Sequence, residues 1–547
     1  MIAGGAHPQS MPADTLTCDV AIVGYGPSAQ CLAALLARAG LSVVALERYH
    51  HLYNLPRAGH VDHETVRLVQ SVGDVDKYVA TLWEVREEYA WLTADRRVLM
   101  LQPAHDAGDS VSGWFSDYSQ WQPHLEDALD TAARAAGATV LMGWQCTGLC
   151  QERDEVRLLA SRTQLDAAGT PVANGPVRQV LARYVVGADG ANSYVRGALG
   201  IEQSARASGE RWLDVDMETI KPLKFVPNIG QICDPCRPRM LMPLGKTHRR
   251  FEWMVLPQET DEEMERPETA WKLLGEYGVT PETHRIARQI VYTFQARMAQ
   301  QWRAGRVFLI GDAAHTMPPY AGQGLLSALR DASNLAWKLE LVIKGKASLE
   351  LLDTYETERR PHVSEWTDIA LAEGRISCEL DPARAAERDQ RMLAGERLAV
   401  PRMPALGAGI FAGGRGTASG IAGSLGLQGR VQTETTTGRC DDLLGARRIS
   451  LLVHGIQPGD LLSPAIVAAL ESLGAALVNV LPPGSVPRPN AVVDVDGRYQ
   501  QYFARHSISA VINRPDYYVF GATREPSELP HLAAELLSRL GAGSSHV

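Results

Sequence analysis

Three motifs built from glycines and an acid stand far apart in the chain: Gly24-Tyr25-Gly26-Pro27-Ser28-Ala29, Gly187-Ala188-Asp189-Gly190 and Gly311-Asp312-Ala313-Ala314-His315. In the first, Gly24 and Gly26 permit a tight turn and a close backbone approach. Pro27 and Ser28 open a helix whose free amides suit a pyrophosphate, and Ala29 lets that helix pack on its strand. Glu47 follows about 23 residues later at the end of a second strand, where a carboxylate accepts both hydroxyls of a ribose. Asp189 ends another strand, with Ser193 and Arg196 close behind it. Gly311-Asp312 ends a further strand, so the Asp312 carboxylate is expected at the carboxyl edge of a sheet, within reach of a sugar alcohol. Gly322-Gln323-Gly324 then opens a helix. The amides of Gly324, Leu325 and Leu326 and the positive helix end there would stabilise negative charge on a reduced ring. Taken singly these are glycine-rich turns or an Asp-Gly turn. Together they fit one dinucleotide running from an adenosine end to a redox ring, which is FAD.

The elements that must carry these residues are legible from periodicity. Asp19-Val20-Ala21-Ile22-Val23 is a short β-branched run, residues 28–39 place Cys31, Leu32, Leu35 and Leu36 at helical spacing, and residues 42–46 return as a strand. Further strands are expected near residues 139–141, 183–186 and 306–310, segments that return to the same sheet. Between residues 200 and 292 the texture changes to alternating runs such as Arg250-Phe251-Glu252-Trp253-Met254-Val255, which predicts half-buried strands of a mixed sheet. From Gln323 onward an apolar face at helical spacing predicts a helix of about five turns. After a Gly/Ala/Ser-dense stretch over residues 407–429, a β-α-β-β-β-α order predicts a small separate domain of thioredoxin-like outline. Gly407-Ala408-Gly409 is a weak echo of a phosphate loop, but no strand feeds it.

The fold class expected is therefore α/β: a Rossmann-like FAD-binding domain, a mixed-sheet substrate domain and a C-terminal thioredoxin-like domain. The boundaries expected are a disordered lead over 1–16, the FAD-binding domain over 17–199 and again, with a helical region, over 293–400, the substrate domain over 200–292, a linker over 401–439 and the last domain over 440–547.

A chain of 547 residues exceeds one hydrophobic core. A net charge of -9 supplies no basic field for nucleic acid or an anionic membrane. The most apolar stretch, residues 21–37, is broken by Gly24, Gly26 and Pro27 and suits a buried strand-turn-helix rather than a membrane span. The opening residues lack the basic start and apolar core of a signal peptide. Eight cysteines are too few for a disulfide framework in this length and point to a reducing cytoplasm. Cys233-Asp234-Pro235-Cys236 has the spacing of half a zinc or redox site without a second half, and no metal is expected. No cysteine follows Cys440, so dithiol exchange is not expected of the last domain.

With these motifs the chain resembles the group A flavoprotein aromatic hydroxylases, the p-hydroxybenzoate hydroxylase superfamily. Within it, Gln70-Ser71-Val72-Gly73, Arg249-Arg250-Phe251-Glu252, His315 with Met317-Pro318, and Arg330-Asp331-Ala332 with residues 334–339 are most similar to the 3-(3-hydroxyphenyl)propionate hydroxylase branch. The resemblance covers residues 19–362 and, more loosely, the tail. It implies that Glu47 holds the adenosine ribose, Arg48 and Arg57 lie along FAD, Gln122 touches the flavin side, Asp312 binds the ribityl chain and Pro318 borders the reactive face. It implies NADH or NADPH as co-substrate, oxygen activation through a flavin C4a-hydroperoxide, and transfer of one oxygen atom to a phenolic ring of a phenylpropionate-like or hydroxybenzoate-like acid. The alternatives are a hydroxylase of a polycyclic aromatic polyketide, or a non-hydroxylating flavin-binding NAD(P)H oxidase or sensor. The last is motivated by Leu326 and Ala328, where the family commonly has Asn and Gly. The partners expected are a small aromatic substrate and oxygen, with a homodimer left open.

A base or hydrogen-bond acceptor at the ring hydroxyl would help such chemistry, and His60, His248 and Tyr320 are the candidates, with His315 read as structural. Arg237, Arg239, Arg249 and Arg250 could hold a substrate carboxylate, against the ordinary reading of solvated strand-face charges.

Overall fold

The computed structural model describes residues 15–102, 110–396, 404–413 and 420–541. Most of the expected lead, residues 1–14, and part of the expected linker lie outside the described residues. The first sheet is assembled around Thr15–Val23, which runs parallel to Val43–Glu47 on one side and to Pro171–Gly187 on the other. Val307–Leu309 adds in parallel beyond Pro171–Gly187, and Thr139–Met142 beyond Val43–Glu47. Segments almost 300 positions apart thus return to one sheet. Val20, Ala21 and Ile22 are fully buried, as a central parallel strand covered on both faces requires. Helix Pro27–Arg38 follows Gly26 with Pro27 in its first turn, where the missing N–H costs nothing. It packs on Gly324–Ile343, the 20-residue helix that stands where the sequence predicts one of about five turns.

The second sheet is mixed and runs His315–Thr316, His284–Ala299, Gln203–Thr219, His248–Met254, Arg239–Leu244, Gly230–Ile232, Tyr89–Leu92, Val98–Gln102. Three of its strands, Tyr89–Leu92, Val98–Gln102 and His315–Thr316, come from stretches assigned by sequence to the FAD-binding domain. Leu213, Val215, Met217, Leu241, Phe251 and Trp253 form a core with Ala270 and Leu274 on one face. The alternate residues Asp214, Asp216, Arg250 and Glu252 occupy the other, and they too are buried. Arg250 is therefore not the solvated strand-face charge that alternation suggested, because segments 53–60 and 318–322 cover that face.

The third sheet carries Ser450–His454 at its centre, parallel to Ala476–Leu481 and antiparallel to Ala510–Asn513, with Val519–Thr523 outside. This is the βαβ-ββα arrangement expected. A strand, Ala491–Asp494, and a helix, Arg498–His506, are added to the order read from sequence. Arg430–Gln432 and Thr437–Arg439, from the stretch read as a linker, extend the same sheet. Gly409 holds no phosphate-loop geometry: an added Cβ would lie 2.3 Å from the Glu358 side chain, and the Ile410 amide donates to Glu358 at 2.9 Å. Among the described residues no helix is long and apolar enough to cross a membrane.

Candidate cofactor and active site

The three motifs converge. Gly24 adopts φ +92°, and a Cβ there would stand 2.4 Å from the Ala188 carbonyl oxygen, so the first motif rests directly on the second. Gly311 adopts φ +57°, and its Cβ would meet the Ala328 Cβ at 3.0 Å and Ser28 Oγ at 3.2 Å, so the third motif rests on the first. Both positions need glycine for conformation and for space. Arg196 joins the second and third motifs by donating to the Ala313 and Ala191 carbonyls, each at 2.9 Å.

The surfaces left at this junction fit FAD. A Cβ on Gly26 would meet no protein atom within 4 Å, so the backbone there is open to a ligand beside the helix start. Glu47 sits at its strand end, where Oε2 accepts from the Tyr25 amide at 2.8 Å and Oε1 from the Tyr49 amide at 3.0 Å. Those bonds fix the carboxylate beside the glycine loop. Asp312 is exposed at the end of its strand and makes no hydrogen bond to a described residue. Its charge faces Arg57, which lies 4.7 Å over the Tyr53 ring. Arg48 is exposed beside Tyr49. Gly322 takes φ +64° between the buried Pro318 and the helix. Ser327 N is the first amide with an intrahelical partner, at Gln323, which leaves those of Gly324, Leu325 and Leu326 free.

Other expected residues, like Glu47, are also bonded within the protein. Both Asp189 oxygens are taken, Oδ1 by Ser193 Oγ at 2.5 Å and Oδ2 by the Val195 amide at 3.0 Å. Asp189 therefore fixes the start of Tyr194–Ala198. Gln122 accepts from the Ala58 amide at 2.8 Å and donates to Glu126 at 2.7 Å, so it holds segment 56–59 in place. The Leu326 side chain is only 1 % exposed and belongs to the main core. It offers the site a backbone amide alone. The departure at Ala328 accompanies Gly311, whose missing Cβ leaves it room.

Of the base candidates, His60 is the one brought to the Gly322 turn. Its Nε2 faces Asp117 Oδ1 at 3.0 Å, while its buried Nδ1 has no hydrogen-bond partner and lies 3.1 Å from where a Gly322 Cβ would be. Burial works against its charge, but Asp117 and Asp62 outweigh that and raise its pKa. His248 stacks on Trp121 at 3.6 Å and faces Thr247, so its contacts are not with the 318–324 turn. The Tyr320 hydroxyl meets Cys378 Sγ at 3.0 Å, and burial raises its pKa well above the ordinary tyrosine value, which removes it as a base. His315 Nε2 contacts Asp331 Oδ2 at 2.7 Å, and the same oxygen accepts from the Gly311 amide at 3.0 Å. That is the structural role expected of His315. Cys233 is buried and Cys236 exposed, so the two do not share an environment.

The arginines considered for a substrate acid have partners within the protein, although the buried Nε of Arg239 and of Arg249 makes no hydrogen bond. Arg237 pairs with Glu259 and Arg239 with Asp234, and Arg249 donates to Asn228. Arg250 grips Asp216 with two bonds, at 2.7 and 3.0 Å. Sequence reasoning passed over Asp214, Asp216 and Glu252, although the alternation of residues 250–255 already put Arg250 and Glu252 on one face.

Three glycine-and-acid motifs meeting at the edge of a parallel sheet are the frame of a dinucleotide site, and the chain belongs to the family of FAD-dependent aromatic hydroxylases. Residues 17–370 match the FAD binding domain family, and residues 423–539 match the HcaD C-terminal domain. The chain is 36 % identical over 529 residues, 95 % of its length and 94 % of the relative's, to the probable NADH-specific resorcinol 4-hydroxylase of Rhodococcus jostii. It is 32 % identical over 556 residues, 97 % of its length and 96 % of the relative's, to the 3-(3-hydroxy-phenyl)propionate/3-hydroxycinnamic acid hydroxylase of Escherichia coli K12. Its fold matches the flavin-dependent monooxygenase PieE in complex with FAD and substrate, with a TM-score of 0.76 at 20 % identity over 96 % of this chain and 99 % of that one. Aklavinone-11 hydroxylase with FAD and aklavinone follows at 0.73 and 24 %, with the same coverage. The protein is a flavin-dependent monooxygenase that uses FAD and NAD(P)H.

Proposed function

We propose that the protein hydroxylates a small phenolic ring, with NADH the first reductant to try, since the Rhodococcus relative is named for it. The observation that carries this reading is the contact of Gly24 with Ala188 and of Gly311 with Ser28, which turns three distant motifs into one cradle. FAD, when bound, supplies hydride acceptance from the nicotinamide and activation of oxygen. The chain's part is to bind and to position.

Amides at the start of Pro27–Arg38 meet the pyrophosphate, Glu47 the ribose and Asp312 the ribityl chain. Free amides of Gly324, Leu325 and Leu326 add the positive helix end beside the ring and favour its negative charge. His60, held by Asp117 against Gly322, adds a proton-bearing group to the same turn. Pro318 borders the ring face. The polar face of the second sheet, tied to segment 53–60 by Arg250 Nη1 donating to the Arg57 carbonyl at 2.7 Å, closes the substrate side against water. Eight free cysteines and dependence on NAD(P)H support a cytoplasmic setting.

The test is oxygen uptake with NADH or NADPH across a panel of phenols, with product regiochemistry read by mass spectrometry and NMR. Stimulated uptake with a hydroxylated product supports the reading; NAD(P)H oxidation that no phenol accelerates contradicts it and favours a plain oxidase.

A further inference from the structure

The polar face of the second sheet carries three buried carboxyl groups around one guanidinium. Asp214 and Glu252 are direct cross-strand partners, as are Asp216 and Arg250, so all four share a face. Arg250 spends Nε and Nη2 on Asp216, and its Nη1 donates to the Arg57 carbonyl. Asp214 Oδ2 and Glu252 Oε1 each stand 3.5 Å from that same Nη1, beyond a good hydrogen bond. The two carboxyl groups are thus neighbours with weak claims on one cation. Asp214 is 4 % exposed, and its Oδ1 is buried with no hydrogen-bond partner, which in a finished site points to a ligand.

The cluster lies between two segments that the proposed function places at the flavin. One flank is segment 53–60: Arg57 through Arg250, Tyr53 and Pro56 through Arg288, and Gly59, whose absent Cβ leaves room for Leu244 and Met242. The other flank is the Pro319–Ala321 turn, whose Tyr320 ring stands edge-on to Trp212 at 6.3 Å and to Phe294 at 5.6 Å. These are the segments that carry Arg57 and follow Pro318, the residues that the family resemblance sets along the flavin.

We propose that Asp214 and Glu252 form the substrate-recognition pair of this hydroxylase, and that its substrate is a neutral polyhydroxylated benzene rather than an aromatic acid. This rests on the reading of the protein as a phenol hydroxylase. Burial pushes the Asp214 carboxyl up to about 6 despite Arg250, and it pushes Glu252 well above the ordinary range, with Asp214 adding to the effect. The pair therefore presents one acceptor and one proton-bearing donor, which suits two ring hydroxyls. Accepting a hydrogen bond from a ring hydroxyl also enriches the ring in electrons for attack by oxygen. A substrate carboxylate would instead meet two carboxyl groups, and the nearest guanidinium groups are already engaged, Arg250 with Asp216 and Arg288 with the Pro56 carbonyl and the Tyr53 and Tyr292 hydroxyls. The charged and titratable groups facing the pair are Asp216, Arg250, Arg288, Tyr292 and Tyr89.

The experiment compares resorcinol with 3-(3-hydroxyphenyl)propionate on the FAD-loaded full chain, through substrate-stimulated NADH oxidation as a function of pH. The expected result is a KM for resorcinol at least about tenfold lower than for the propionate. Glu252→Gln and Asp214→Asn each raise the resorcinol KM by about tenfold with bound FAD retained, and Asp214→Asn flattens the acid limb of kcat/KM. Equal or tighter use of the propionate by the wild-type protein overturns the proposal, as do variants with unchanged KM and pH profile. Failure of every phenol to stimulate oxidation overturns the hydroxylase reading along with it, whereas stimulation with the wrong preference overturns the recognition pair alone.

Discussion

Arg514 and Glu358, 156 positions apart, meet with Nη2 and Oε2 separated by 2.7 Å in the seam between the third sheet and the FAD-binding unit, and both side chains are essentially inaccessible to water. Asp516 and Lys338 complete the cluster from either side. A buried charge pair broken on one side leaves the other charge unpaired, at a cost of about 3–5 kcal/mol. Arg514→Ala is therefore expected to lower the unfolding temperature and to expose the stretches at residues 404–413 and 420–430 to limited proteolysis. A variant as resistant as the wild type would deny this seam its role.

The same pair sets an acid sensitivity. Burial pushes the Glu358 carboxyl up, but Arg514 and Lys338 outweigh it and hold it down at about 2. A carboxyl depressed in the folded state stabilises fully above its unfolded value of 4.5 and loses that contribution as pH falls through about 2. Unfolding followed from neutral pH down to about 2 should show a loss that steepens below about 4.5 in the wild-type protein and a shallower one in Glu358→Gln from a lower starting point. Parallel curves would contradict the assignment.

Gly24 and Gly26 separate folding from binding. Gly24→Ala places a methyl 2.4 Å from a backbone oxygen and should fail to fold well. Gly26 has an ordinary φ of -77° and open space around it, so Gly26→Ala should keep the thermal stability of the FAD-free protein while weakening FAD by about tenfold or more. FAD titration monitored by fluorescence checks this, and unchanged affinity would move the pyrophosphate elsewhere.

Asp312 makes a complementary case. Its carboxylate is exposed and hydrogen-bonded to no described residue, so Asp312→Ala should leave the FAD-free fold intact and yield largely colourless protein. Full flavin occupancy would remove the ribityl role.

The cofactor half of the site was legible in sequence because its chemistry is local: glycines, strand ends and helix starts are adjacent in the chain, and Gly24, Glu47 and Asp312 fell where period and turn residues placed them. The substrate half was not, because it depends on register. Arg250 and Glu252 read as solvent-facing on an alternating strand, and only their pairing with Asp216 and Asp214, under segments 53–60 and 318–322, buries them. Asp189 and Gln122 illustrate the reverse limit. Their residue types suit a ligand, but nearby Ser193, Val195, Ala58 and Glu126 use their hydrogen-bonding groups. His60 gained its partner Asp117 through a strand pairing of His60–Asp62 with Asp117–Ser119 that no local pattern announces.

One flavin bound at the junction of the three motifs is expected to pass oxygen from the gas to a phenol. The most direct measurement is a single turnover of the FAD-loaded protein with NADH and resorcinol under isotopically heavy oxygen gas, followed by mass spectrometry of the product. The expected product is a hydroxylated ring carrying one heavy oxygen atom; a product labelled from water, or NADH consumed with the phenol recovered unchanged, would rule out oxygen transfer by the flavin.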